Sequence, residues 1–124
     1  MTNDSELSGK HILLTPFDYT LTVLGGKWKM KIMYQIACQK VLRYGELKRS
    51  ILGITHKVLS SQLKELEESG IIKRVEYSQT PLKVEYSLTP KGKTLMPILE
   101  DMCKWGLQNL PDEMNKVLDY DVRS

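Results

Sequence analysis

At Gly70 the spacing of apolar residues along this chain changes. Before it, Leu59, Leu63 and Leu66 stand at i, i+4 and i+7, the repeat of one helical face. After it, Ile72–Tyr77 (IKRVEY) and Lys83–Leu88 (KVEYSL) alternate as strands do, with Val84, Tyr86 and Leu88 on one side. Ser78-Gln79-Thr80-Pro81-Leu82 is too polar and too Pro-broken to continue either strand, so it reads as the loop of a hairpin. A two-stranded hairpin is not stable alone and must lean on helices. The helix before it has clear ends, with Thr55 as N-cap and Ser69-Gly70 as the stop. This order restricts the chain to a mainly α fold with a small β-wing, an α+β arrangement.

The residues upstream complete a motif. Tyr44 to Ser50 (YGELKRS) reads as a short helix packed by Leu47, and Ile51, Leu52 and Ile54 supply an apolar turn around Gly53. Short helix, Gly-containing turn and longer helix make a helix-turn-helix. Val41-Leu42-Arg43 is long enough for a single ladder strand. Further back, Thr15-Pro16-Phe17-Asp18 is a helix start, with Thr15 as N-cap and Pro16 at the first helical position; Phe17, Leu21 and Leu24 form its apolar face. Gly25-Gly26 stops it. A second helix runs from Lys27 to about Gln39, with Trp28, Ile32 and Ile36 in the core and Lys27, Lys29 and Lys31 making its start basic.

Beyond the wing, Thr89-Pro90 repeats the start signal. It opens a helix to about Leu110, kinked by Pro97, and Pro111-Asp112 starts a last short helix to about Leu118. The organisation is therefore a tail over 1–14, a winged helix-turn-helix core over 15–89 and terminal helices over 90–124, in one compact domain. A long apolar-striped helix beyond a complete winged unit points to a second copy of the chain as its partner. Phe17, Leu21, Leu95, Ile98, Leu99, Met102 and Trp105 are the candidate dimer contacts.

Charge separates these parts. The net charge is +3, yet residues 40–93 hold eleven Lys/Arg against six Asp/Glu, while residues 94–124 hold three against six. The basic middle suits a polyanion and the acidic end is expected to turn away from it. On the central helix Lys57, Ser61 and Lys64 lie opposite the leucines with Ser60 on the flank, and Glu65, Glu67 and Glu68 come only in the last turns. Thr55, His56, Lys57, Ser60, Ser61 and Lys64 are thus the candidates for base contacts in a DNA major groove. Lys donates to guanine O6 or N7, and Ser or Thr serves either role. His56 lies nearer the buried stripe than Lys57, and Val58 either meets a thymine methyl or packs on Leu47. Arg43, Lys48, Arg49, Arg74 and Lys83 are candidate phosphate contacts, and Gln79 and Thr80 at the wing tip reach the minor groove or backbone.

Other classes find little support. No run of about 18 apolar residues exists for a membrane helix, and MTNDSELSGKH lacks the basic-then-apolar pattern of a secretory signal. Cys38 and Cys103 are too few for a disulfide framework and read as small buried groups on helices in a reducing cytoplasm. His11 and His56 stand far apart, so neither a metal nor another cofactor is expected. No Gly-rich phosphate loop, carboxylate pair or nucleophile–base arrangement indicates an enzyme. Met96, Met102, Trp105 and Tyr19 read as core or interface, or as the lining of a pocket for a small-molecule effector of unknown identity.

GGKWKMKIM, RYGELKRSILGIT, LSSQLKELEESGII, and PLKVEYSLTPKG followed by a Trp-Gly pair resemble the HxlR-type winged helix-turn-helix transcriptional regulators, from about Thr15 to Gly106. The resemblance implies a dimeric, cytoplasmic DNA-binding protein whose terminal helices make the dimer, with repression by promoter occlusion as the usual mode. Several sensing members of that family carry a Cys directly before a Pro at the start of the first helix, where the dipole makes a thiol reactive. Here the position is Thr15, so thiol sensing is not carried over. The expectation is a homodimeric repressor on a pseudo-palindromic operator, its recognition helices about 34 Å apart. The alternative is a winged-helix protein-interaction module in which the charge is incidental.

Overall fold

A computed structural model describes residues 15–114 of the chain. The elements are α1 (Pro16–Leu24), α2 (Lys29–Gln39), β1 (Val41–Arg43), α3 (Tyr44–Ser50), α4 (His56–Glu68), β2 (Ile72–Tyr77), β3 (Lys83–Leu88), α5 (Pro90–Lys93) and α6 (Met96–Asn109). They fall into two compact units, Met1–Lys93 and Thr94–Ser124. The fold is mainly helical with one small sheet, a winged helix-turn-helix. The proposed tail over 1–14 lies outside the described residues. Of the last short helix, 112–114 are helical and the remainder to Leu118 lies outside as well.

Local chemistry sets most boundaries. Thr15 caps α1 by accepting from the Asp18 backbone N–H at 3.1 Å, and its hydroxyl donates to Asp18 Oδ2 at 2.9 Å. Glu46 reaches back from the third position of α3 to accept from the Arg43 N–H at 2.8 Å, which satisfies one of the orphan donors at that helix start. Thr55 caps α4 by accepting from Val58 N–H at 3.2 Å. At the far end Ile71 N–H donates to Leu66 O and Gly70 N–H to Glu67 O, the paired bonds of a Schellman stop. That stop needs a left-handed residue, and Gly70 supplies it with φ of 75°.

The three strands form an antiparallel sheet in the order β1-β3-β2. Leu42 faces Tyr86 across one pair and Ile72 faces Leu88 across the other, and all four are buried. The hairpin is therefore anchored at its base while its loop, 78–82, stays exposed. α2 packs against α3, α4, β1 and β3, so Ile32, Met33 and Ile36 sit at the centre of the core with Leu47, Leu59, Leu66 and Ile71 around them.

Five expectations need correcting. The helix from Thr89 is not kinked but broken: α5 ends at Lys93 and α6 restarts at Met96, with Pro97 in its first turn. Pro97 has no N–H to give and its ring opposes the carbonyl of residue 93, so it is accommodated only where a helix begins. The second helix begins at Lys29 rather than Lys27, and Trp28 is half-buried, covered by the Lys27 and Lys31 ammonium groups at 4.7 and 5.2 Å from its ring. Lys29, read as part of a basic start, is buried at 9% exposure. Leu52 is 96% exposed, whereas Ile51 and Ile54 of the same turn are buried. Cys38 and Cys103 are both exposed. Cys38 follows buried Ile36 by two residues, which on a helix points it to the opposite side.

Candidate nucleic-acid interface

The helix-turn-helix places α4 with Leu59, Leu63 and Leu66 buried and Thr55, His56, Lys57, Ser60, Ser61 and Lys64 exposed. All six predicted recognition residues are thus exposed: Lys57, Ser60, Ser61 and Lys64 lie away from the leucine stripe, while Thr55, the cap, and His56 flank it at the helix start. Among the described residues no carboxylate pairs with Lys57 or Lys64, so both ammonium charges face outward. Val58 is half-buried. His56, nearer the leucine stripe than Lys57, is exposed, and its ring stacks on Tyr44 from α3 with centroids 5.7 Å apart and planes 10° from parallel.

Tyr44 is the residue that sequence reasoning missed. Its hydroxyl lies 3.1 Å from His56 Nδ1, 3.1 Å from the His56 carbonyl oxygen and 3.1 Å from Ser60 Oγ. One side chain of the first helix of the motif thereby holds two residues of the second. The only signal in the sequence is an aromatic bearing a polar tip at the start of α3, a residue type that seeks a hydrogen-bond partner.

The positions expected to touch phosphate are unequal. Arg43 and Arg49 are exposed and Lys48 is half-buried. On the wing, Arg74 donates to Glu76 Oε1 at 2.9 Å, and Lys83 stands 3.4 Å from Glu85 Oε2 and 5.0 Å from the Tyr77 ring. Hydrogen bonds to Glu76 first and Tyr86 second hold the Arg74 guanidinium above its ordinary pKa. Both wing cations therefore share their charge with a neighbouring acid, whereas Gln79 and Thr80 project at the exposed tip.

Glu65 lies farther along α4. Its carboxylate accepts from the buried Lys29 ammonium at 2.8 Å, and that hydrogen bond, followed by the charge itself, holds the Glu65 carboxyl below its usual range. An acid on the same helix as the cations is thus engaged from within the protein. Among the described residues no three His, Cys, Asp or Glu side chains gather as a metal would require, and no helix is long and apolar enough to cross a membrane.

The candidate dimer residues divide. Phe17 and Leu21 on α1 are exposed, the former at 69%. On α6, Ile98, Met102 and Trp105 are exposed, Trp105 at 68%, but Leu99 is buried at 5%; Leu95, just before the helix, is half-buried.

A helix-turn-helix whose second helix presents an unpaired cationic face, flanked by a hairpin wing, defines a winged helix-turn-helix DNA-binding protein. Comparison with known proteins makes this specific. The HxlR-like helix-turn-helix family matches residues 23–114, and the chain belongs to that family. It is 60% identical over 92 residues to the HTH-type transcriptional regulator YdzF of Bacillus subtilis strain 168, which spans 74% of this chain and 84% of that protein. It is similar in structure to the redox regulator HypR in its oxidised form, with a TM-score of 0.74, 44% identity, and coverage of 78% of this chain and 99% of that one. The HTH-type regulator YtcD superposes with a TM-score of 0.73 at 42% identity, covering 77% and 96% of the two chains. The protein is a DNA-binding transcriptional regulator of the HxlR type.

Proposed function

We propose that the protein works as a cytoplasmic homodimeric repressor that binds a pseudo-palindromic duplex operator, with the first two turns of α4 in the major groove. The observation that carries this reading is the division of α4 between a buried leucine stripe and an outward row of Lys57, Ser61 and Lys64. Arg43, Lys48 and Arg49 contact phosphates near the turn. Arg74 and Lys83 contribute less, because each must loosen an internal acid to reach a phosphate. Exposed apolar residues on α1 and α6 support dimerisation, since large apolar side chains left in water on a small protein mark an interaction surface.

The test is fluorescence anisotropy on duplexes from upstream of the protein's own gene and its neighbours, across a salt series and with or without a thiol oxidant. Lys64→Ala lowers the slope of log affinity against log salt by about 0.9 per protomer. Lys57→Ala costs about 1–3 kcal/mol and relaxes preference at one base pair. Binding is expected to ignore the oxidant, because Thr15 has no thiol chemistry; loss of binding would implicate the exposed Cys38 or Cys103. Binding without sequence preference at every salt would favour an interaction module instead.

A further inference from the structure

We infer that Tyr44 is a positioning residue that sets which bases α4 reads, by assigning the protons of His56 and Ser60. The inference rests on the placement of the first turns of α4 in the major groove. A tyrosine hydroxyl has one proton to donate, and here it has three neighbours. The His56 carbonyl oxygen can only accept, so a contact of 3.1 Å between it and the Tyr44 oxygen requires the tyrosine proton to lie between them. The Tyr44 oxygen must then accept from the other two. His56 Nδ1 therefore carries a proton, and the Ser60 hydroxyl turns its own proton toward Tyr44.

Two consequences follow for recognition. In neutral His56 the second ring nitrogen, Nε2, is left with a lone pair on the side of the ring away from Tyr44, so it accepts. Ser60, its proton already committed, also presents its oxygen as an acceptor. Both groups are exposed on α4. In the major groove the complementary donors are the amino groups of cytosine N4 and adenine N6, whereas guanine and thymine offer acceptors at O6, N7 and O4. Without Tyr44 either side chain could turn to suit a donor or an acceptor. The hydroxyl thus converts two ambivalent groups into two acceptors, and the stacked rings keep the imidazole in place while it does so.

Tyr44→Phe removes the hydroxyl and keeps the ring. The expected result has two parts. Nitrogen-15 NMR of the free wild-type protein, above the pH at which imidazole charges, shows His56 protonated on Nδ1, and the variant moves toward the Nε2–H form. Selection from randomised duplexes, followed by anisotropy with each base pair in turn, shows a wild-type preference of about tenfold or more for cytosine or adenine at the affected positions. In the variant that preference falls to about twofold or less, with an unchanged salt slope because no phosphate contact is lost. A wild-type His56 protonated only on Nε2 overturns the proposal without any DNA. If His56→Ala and Ser60→Ala lose the preference and Tyr44→Phe retains it, the proposal falls and the interface stands. If all three variants select the wild-type site with wild-type affinity, the placement of the α4 first turns falls and takes the proposal with it.

Discussion

Lys29 on α2 and Glu65 on α4, 36 residues apart, meet through a hydrogen-bonded ion pair of 2.8 Å, with the lysine buried and the carboxylate about half exposed. Ammonium groups do not stay in a protein interior without a partner, because desolvation of an unpaired charge costs several kcal/mol. The pair therefore ties α4 to α2 in the orientation that the buried leucine stripe already sets, with Lys57, Ser61 and Lys64 outward. Gln62 adds a second, longer bond to the same carboxylate at 3.3 Å.

Glu65→Gln keeps an acceptor near Lys29 and deletes the charge. Because the folded protein holds the Glu65 carboxyl below its ordinary value of 4.5, the ionised group stabilises the fold fully above that value, and the contribution is lost as pH falls through the lower folded-state pKa. The variant is expected to melt below wild type near neutral pH, with the two curves converging as pH falls below 4.5. A gap that stays constant across the range would show that packing rather than charge is responsible.

Gly92→Ala is expected to destabilise the protein by about 1–3 kcal/mol in urea unfolding, although alanine is the better helix former. A Cβ there would collide with the backbone oxygen of Ile71 and press on its Cγ2 at 3.3 Å. Ile71 is fully buried and its oxygen accepts from Thr89 N–H, so it has little freedom to move. Equal or greater stability in the variant would mean that α5 can shift.

Leu59→Ala and Leu52→Ala separate two leucines close to the same turn. Leu59 has no exposed surface, and its truncation is expected to cost about 2–5 kcal/mol by chemical denaturation. Leu52, almost wholly in water, is expected to change stability by about 0.5 kcal/mol or less. Comparable losses at both positions would contradict the turn described above.

Trp105→Glu places a charge on the exposed face of α6. Sedimentation equilibrium is expected to show monomer in place of dimer, with circular dichroism preserved. Affinity for a two-half-site duplex should drop by about a hundredfold, since the second recognition helix no longer arrives tethered to the first. A dimer that survives the substitution would put the interface elsewhere.

What the sequence determined by itself was whatever depends on neighbours along the chain. The Thr15 and Thr55 caps, the Ser69-Gly70 stop, the bounds of α3 and the two wing strands rest on contacts within a few residues or on a repeat of 3.6 or 2, so they are legible one segment at a time. The row of candidate groove residues belongs to the same class, because one helix with one buried stripe has one solvent side.

Only the tertiary structure decided what depends on which segment lies opposite. Lys29 reads as surface until α4 brings Glu65 against it, and Tyr44 reads as an ordinary aromatic until the turn folds His56 and Ser60 onto its hydroxyl. The break before Pro97, the outward Leu52 and the two exposed cysteines belong here as well. Periodicity tells which residues share a face, but burial is settled by the shape of what packs on that face, and a hydrogen-bonding group takes the partner that the fold brings within reach.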